Sequence, residues 1–254
     1  MNKNIREIYF SPSGRTKKLS ELFVDNFNGN KKTFDFFLKD EIKNQNLGEE
    51  DLLIVTLPVY AGRIPKICVN KLKKFKGNNT PAIALVAYGN RDYDDALLEL
   101  SDILKEQGFK ILGAAAFITR HSIFPEVAEN RPDEEDEIKI KDFANKCKNK
   151  LESLEINELE IKGNRPYKEG NKKPLMPTGD ELCINCGKCV RICPVEAISK
   201  NNPRETDKDK CINCTACIYN CPTGSRTYHM EQYKIGYEKF KIDNAKRKEP
   251  EIFI

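Results

Sequence analysis

Cys183-Ile-Asn-Cys186-Gly-Lys-Cys189-Val-Arg-Ile-Cys193-Pro194 is followed, after a gap, by Cys211-Ile-Asn-Cys214-Thr-Ala-Cys217-Ile-Tyr-Asn-Cys221-Pro222. Both runs have the spacing C-x2-C-x2-C-x3-C-P and lie 28 residues apart, and they hold eight of the ten cysteines. Thiolates at that spacing serve as metal ligands, and the pattern is that of paired [4Fe–4S] clusters. Zinc also takes C-x2-C pairs, but two complete four-cysteine runs, each closed by proline, favour the clusters.

The surrounding composition sets bounds. A chain of 254 residues has length for one or two domains. Charged residues make up 32% of it and no apolar run is long enough to span a bilayer, so no membrane insertion is expected. Met1 to Arg6 are polar and lead straight into a strand-like run, so a cytoplasmic location is expected. The formal net charge of +4 counts every cysteine as neutral. Two oxidised clusters held by thiolates would each bring about −2 and cancel the excess, so no nucleic-acid partner is expected. Cys68 and Cys147 stand apart from the runs and read as small buried apolar side chains.

The first 160 residues alternate strands and helices. Ile5–Phe10 reads as a strand, Ser11-Pro-Ser13-Gly14-Arg15-Thr16 as a loop, and Thr16–Asn28 as an amphipathic helix with Leu19, Leu22, Phe23 and Phe27 on one face. Further strands are expected at Thr33–Leu38, Asp51–Leu57, Pro81–Ala87 and Phe109–Thr119. Helices are expected after the Pro58–Pro65 loop, over Asp95–Gln107 and over Pro132–Leu154. Apolar strands alternating with helices indicate an α/β fold with a doubly wound parallel sheet. A small-hydroxyl loop between a strand and a helix suits an anionic phosphate, because amides, hydroxyls and the helix N-terminus all favour negative charge. The loop has neither the lysine of a Walker A motif nor a G-x-G-x-x-G run, so ATP and dinucleotides fit it poorly.

On these motifs, residues 1–156 resemble a flavodoxin, which implies a five-stranded sheet of order 2-1-3-4-5 and FMN as cofactor. Ser11, Ser13, Gly14, Arg15 and Thr16 are similar to the family's phosphate loop. Pro58, Val59, Tyr60, Ala61 and Gly62 resemble the second loop, at the isoalloxazine. Tyr88, Gly89, Asn90, Arg91 and Tyr93 resemble the third, whose tyrosine commonly stacks on the ring. The chain has no Trp, so Tyr60 and Tyr93 are both candidates for stacking. Gly62 and Gly89 are expected to let backbone reach the ring edge, and the Ala61–Gly62 peptide to tune the flavin couple. Arg63, Arg91 and His121 are placed near the ring edge, with Arg120 and Ser122 at the same side of the sheet.

Residues 157–178, with Gly163, Pro166, Gly170, Pro174 and Pro177, read as a linker or strap. Tyr167, Leu175 and Met176 favour its docking on the first domain. Residues 179–224 resemble a bacterial two-cluster ferredoxin, too short to build a core by burial alone. In such modules the fourth Cys of each run serves the other cluster. The resemblance thus implies Cys183, Cys186, Cys189 and Cys221 for one cluster, and Cys211, Cys214, Cys217 and Cys193 for the other. Residues 225–254 are expected to pack back on the body through Tyr228, Tyr233, Tyr237 and Phe240.

The whole chain resembles the flavodoxin–ferredoxin fusion proteins of anaerobes. That resemblance implies electron transfer between a redox protein partner and FMN through the clusters, in a monomer or homodimer. An FMN-dependent reductase of a small substrate is the alternative.

Overall fold

The computed structural model describes residues 3–153, 157–170 and 175–254. Its elements follow in chain order as β1 (Lys3–Tyr9), α1 (Arg15–Val24), β2 (Gly29–Asp35), β3 (Gln45–Leu47), β4 (Asp51–Pro58), α2 (Lys66–Leu72), β5 (Phe75–Gly77) and β6 (Thr80–Tyr88). Then come α3 (Ala96–Glu106), β7 (Phe109–Ile118), α4 (Glu134–Ser153), α5 (Lys188–Ile192), α6 (Ala216–Tyr219), α7 (Glu231–Asp243) and β8 (Glu251–Phe253).

Every residue of β4 and of β6 is buried, which requires cover on both faces of the sheet. Side chains alternate accordingly. Leu52 and Ile54 of β4 join α1 and α4 through Leu19, Phe23, Phe143 and Cys147. Leu53, Val55 and Leu57 face α2 and α3 through Cys68, Leu72, Leu97 and Leu100. Cys68 and Cys147 are fully buried members of these two layers.

The main sheet runs β2-β1-β4-β6-β7-β8. Its first five strands are parallel, in the flavodoxin-like order, with the switch between β1 and β4. The expectation of five strands needs correcting, because β8 adds a sixth, antiparallel to β7. Its three residues are too few to give a period-2 signal, yet they cover an edge that β7 would otherwise expose. A separate pair, β3 with β5, was also not anticipated.

Two boundaries shift for local reasons. Helix α1 stops at Val24 because Asn26 folds back and donates to the Leu22 and Phe23 carbonyls at 2.8 and 3.2 Å. Strand β2 begins at Gly29, where a Cβ would lie 2.1 Å from the Lys3 carbonyl oxygen. The expected helix end at Leu154, the domain boundary at 156 and the linker's Pro174 lie outside the described residues.

Beyond β7 the chain wraps its own body. The strap anchors on α3, where Arg165 makes a bidentate pair with Asp102 at 2.6 and 2.8 Å and the Tyr167 hydroxyl donates to Asp102 at 2.5 Å. The cysteine-rich module has a core of Cys189, Cys193, Ala197, Ile198 and Cys217. Three of those five are cysteines, so its fold depends on what they bind. Helix α7 then crosses back to the first domain, stacking Tyr233 and Phe240 on Phe124. Among the described residues no helix is long and apolar enough to cross a membrane.

Candidate functional site

At the carboxyl end of β1 the chain turns through Gly14, whose φ of 82° belongs to the left-handed region that glycine adopts most easily. The Ser11 hydroxyl accepts the Lys17 N–H at 2.8 Å and the Ser11 carbonyl accepts the Gly14 N–H at 3.2 Å. Ser11 therefore fastens the loop to α1. Among the described residues the backbone N–H groups of Ser13, Arg15 and Thr16 have no hydrogen-bond partner. They sit at a helix N-terminus, where an anion is stabilised. Arg15 Nε is buried without a partner as well.

Pro12, Ser13, Arg15 and Thr16 line part of a cavity of about 820 Å³. Pro58, Val59, Tyr60, Ala61 and Ile64 line it from the β4 side, and Ala87, Tyr88 and Gly89 from the β6 side. Tyr60 and Arg63 exchange two backbone hydrogen bonds, of 2.8 and 3.1 Å, around Ala61 and Gly62. Positive φ at both central residues, 52° and 84°, makes this a type I′ turn. Lys208, Asp209, Cys211, Ile212 and Asn213 of the cysteine-rich module also line the cavity, together with Leu175 of the strap. Ile212 packs against the core of the first domain.

His121 lines the same cavity. Its Nδ1 accepts the N–H groups of Ile123 and Phe124 at 3.1 and 3.0 Å, which leaves the ring proton on Nε2. Burial lowers the His121 pKa to about 4, and the charges of Arg15 and Arg91 add to the effect. The ring is neutral near pH 7. It lies over Gly89, where a Cβ would come within 2.3 Å of the imidazole Cδ2.

Several expected site residues are placed elsewhere. Ser11 and Gly14 shape the loop after β1 but do not line the cavity. Gly62 turns away from it, and a Cβ there would meet the Asp94 carboxylate at 2.4 Å. Tyr93 is 1% exposed, packs edge-on against Tyr88 and donates its hydroxyl to Glu251 at 2.8 Å. The aromatics that line the cavity are therefore Tyr60 and Tyr88. Asn90 donates to the Asn244 and Lys246 carbonyls at 2.8 and 2.9 Å, while Arg91 pairs with Asp94. Arg63 pairs with Glu99 at 2.6 Å. The third loop thus splits its work, with Tyr88 and Gly89 at the cavity and Asn90, Arg91 and Tyr93 in contacts outside it.

In the cysteine-rich module the internal repeat extends to the backbone. Asn185 and Asn213 both have φ of 54°, Gly187 and Thr215 have 68° and 63°, and Glu196 and Gly224 have 52° and 71°. Left-handed residues of this kind build the backbone nests that suit anions. Cys193, Cys211, Cys214 and Cys217 line one small cavity of about 20 Å³. Burial pushes the Cys214 thiol up to about 12 and the Cys217 thiol to about 11, and each feels the other three of the set or most of them. Around Cys221 burial also opposes ionisation, but N–H groups of Arg226, Thr223 and Ser225 point at the sulfur and hold its pKa down. Exposure differs between the runs. Cys186 is exposed, whereas its counterpart Cys214 is buried; Cys183 and Cys211 are both half-buried. Among the described residues no three Cys, His, Asp or Glu groups converge on a single-ion site.

The wall from Lys208 to Asn213 was not anticipated, since no local signal in the sequence says which face of the module meets the first domain. Lys66 and Ile123 escaped notice for the same reason, although both follow loops that were singled out.

Residues 176–239 match the model of the 4Fe-4S dicluster domain family. No curated protein matches the chain. Solved structures similar to it include a flavodoxin from the domain Archaea, at 15% identity over 59% of this chain and 99% of that one, with a TM-score of 0.40. A Streptococcus pneumoniae TIGR4 flavodoxin gives 15% identity over 58% and 99%, with a TM-score of 0.40. Rubredoxin oxygen:oxidoreductase from Desulfovibrio gigas gives 14% over 59% of this chain, with a TM-score of 0.43. The chain spans 36% of the length of that oxidoreductase. The strand order and the matched domain together describe a flavodoxin-like α/β domain followed by a ferredoxin-type 4Fe-4S segment.

Proposed function

We propose that this chain transfers electrons between a protein redox partner and FMN through two [4Fe–4S] clusters. The observation that carries this reading is the position of Cys211. It lines the large cavity that begins at the phosphate loop, and also the small cavity ringed by Cys193, Cys214 and Cys217. A flavin in one and a cluster in the other would be separated by little more than that residue.

The donor sets fit these groups. Ser13, Arg15 and Thr16 would hold the FMN phosphate with free amides, hydroxyls and the guanidinium. Val59, Tyr60, Tyr88 and Gly89 offer an apolar, flat-sided slot for the ring. Cys193, Cys211, Cys214 and Cys217 would hold the cluster next to the flavin. Cys183, Cys186, Cys189 and Cys221 would hold the other, whose exposed side is where a partner would dock. FMN, when bound, exchanges one or two electrons and so couples one-electron clusters to two-electron chemistry. His121 keeps a proton on Nε2 and forms part of one cavity wall.

The test is an FMN titration of flavin-free full-length chain, followed by flavin fluorescence. Tight binding is expected, and replacing both Ser13 and Thr16 by Ala should weaken it roughly tenfold or more, at about 1 kcal/mol for each lost hydrogen bond. Absence of binding would overturn the reading.

One observation favours a second reading, the FMN-dependent reductase. Lys66, Lys208 and Asp209 line the cavity and, among the described residues, none of them forms an ion pair across it. They could orient a small polar substrate. Saturable oxidation of the reduced chain by a quinone, a nitro compound or a disulfide would support that reading over a simple carrier.

A further inference from the structure

Arg226 is 2% exposed and is the largest of the fully buried side chains. Its Nη1 donates to the Pro203 and Arg204 carbonyls at 2.9 and 3.1 Å, and its Nη2 to the Pro177 carbonyl at 2.8 Å and the Thr206 hydroxyl at 2.5 Å. Nε is buried with no partner. All these acceptors are neutral, and among the described residues no carboxylate pairs with the guanidinium. A buried cation without a counter-charge is costly, so the module must supply an anion from elsewhere.

Thiolates of the cysteine runs can supply it. Arg226 Nη2 lies 3.9 Å from Cys217 Sγ, and the side chain lines the small cavity of Cys193, Cys211, Cys214 and Cys217. It reaches the other set too, because the Pro203 carbonyl accepts from Arg226 and is also 3.9 Å from Cys189 Sγ. The guanidinium therefore stands between the two sets. The internal repeat sharpens the point. Ile198 stands 28 residues before Arg226, at the equivalent place in the first run, and is an ordinary buried apolar residue. At this matched pair of buried positions only the second run carries a charge.

We propose that Arg226 is the internal counter-ion of both clusters, stabilising their net negative charge and holding both midpoint potentials above those a neutral residue would allow. Each cluster gains one electron on reduction and passes from about −2 to about −3 in net charge, so a fixed cation between them favours the reduced forms. This inference rests on the reading that the module holds two clusters.

The test uses the full-length chain, reconstituted anaerobically with ferrous iron and sulfide and titrated with dithionite under electron paramagnetic resonance. Arg226→Lys keeps the charge, while Arg226→Gln and Arg226→Ile remove it. Loaded Gln and Ile variants with both midpoints shifted negative, and a Lys variant close to wild type, are the expected result. Neutral variants that fail to take up clusters while the Lys variant loads would support the same counter-ion role. Loaded neutral variants with unchanged midpoints would overturn the proposal. A Lys variant that behaves like the neutral ones, in loading or in potential, would overturn it too and leave a hydrogen-bond hub. Failure of the wild type to take up two clusters is read separately, from its iron and sulfide content, and would sink the parent reading together with this one.

Discussion

His121 and Gly89 are one device in two residues. The imidazole lies where a Cβ at position 89 would be, 2.3 Å from the ring. Gly89→Ala must therefore push the ring off the cavity wall, at roughly 1–3 kcal/mol for overpacking. A lowered melting temperature and weaker FMN binding are the expected readings for that variant. The ring also sets a pH dependence. Its folded pKa, about 4, lies below the ordinary 6.5. Below pH 6.5 the unfolded chain takes up a proton that the folded one refuses, so this contribution is complete above 6.5 and fades as pH falls towards 4. The full loss is about 3 kcal/mol. Urea unfolding at several pH values should show that decline, and His121→Gln should flatten it; an equally steep profile in the variant would exclude His121 as the source.

At the scale of elements, the C-terminal segment is the part that had to be seen. The sequence marks α7 by spaced aromatics, of which Tyr233 and Phe240 stack on Phe124 and Tyr237 meets it edge-on. It carries no comparable sign of β8, because three residues pairing with Ala114, Ala115 and Ala116 make a contact of register and not of pattern. Nor could it assign the third loop, since Asn90 and Tyr93 look like flavin contacts until the returning chain supplies them with other partners. By contrast, Ser13, Arg15 and Thr16 were legible because loop and helix are neighbours in sequence. Asn90→Ala tests the division of labour in the third loop. It strips the Asn244 and Lys246 carbonyls of their donor and should cost about 1–3 kcal/mol. Amide exchange should quicken in α7 and β8 while FMN affinity stays near wild type, and a large loss of affinity would place Asn90 back at the flavin.

The whole molecule is held by contacts between its two parts, and these determine how the cavities meet. Arg15 Nη2 donates to the Tyr219 hydroxyl at 2.8 Å, and that hydroxyl donates to the Ser122 carbonyl at 2.9 Å. The arginine also lies 5.0 Å from the Tyr219 ring centroid. A residue of the loop after β1 and a residue between the second run's cysteines are thus joined directly. Tyr219→Phe loses both hydrogen bonds, about 1–2 kcal/mol of docking, and should slow electron exchange between clusters and flavin without emptying either site. Cysteine spacing pointed to clusters and the first loop to an anion site, but only the docked fold puts Cys211 in the walls of both cavities. The most direct test is rapid photoreduction of the anaerobically purified chain, with cluster and flavin absorbance followed together. A bound FMN with about eight iron per chain, and flavin reduction by the clusters at a rate independent of protein concentration, is the expected result. A chain without flavin, or flavin reduction that scales with protein concentration, would contradict it.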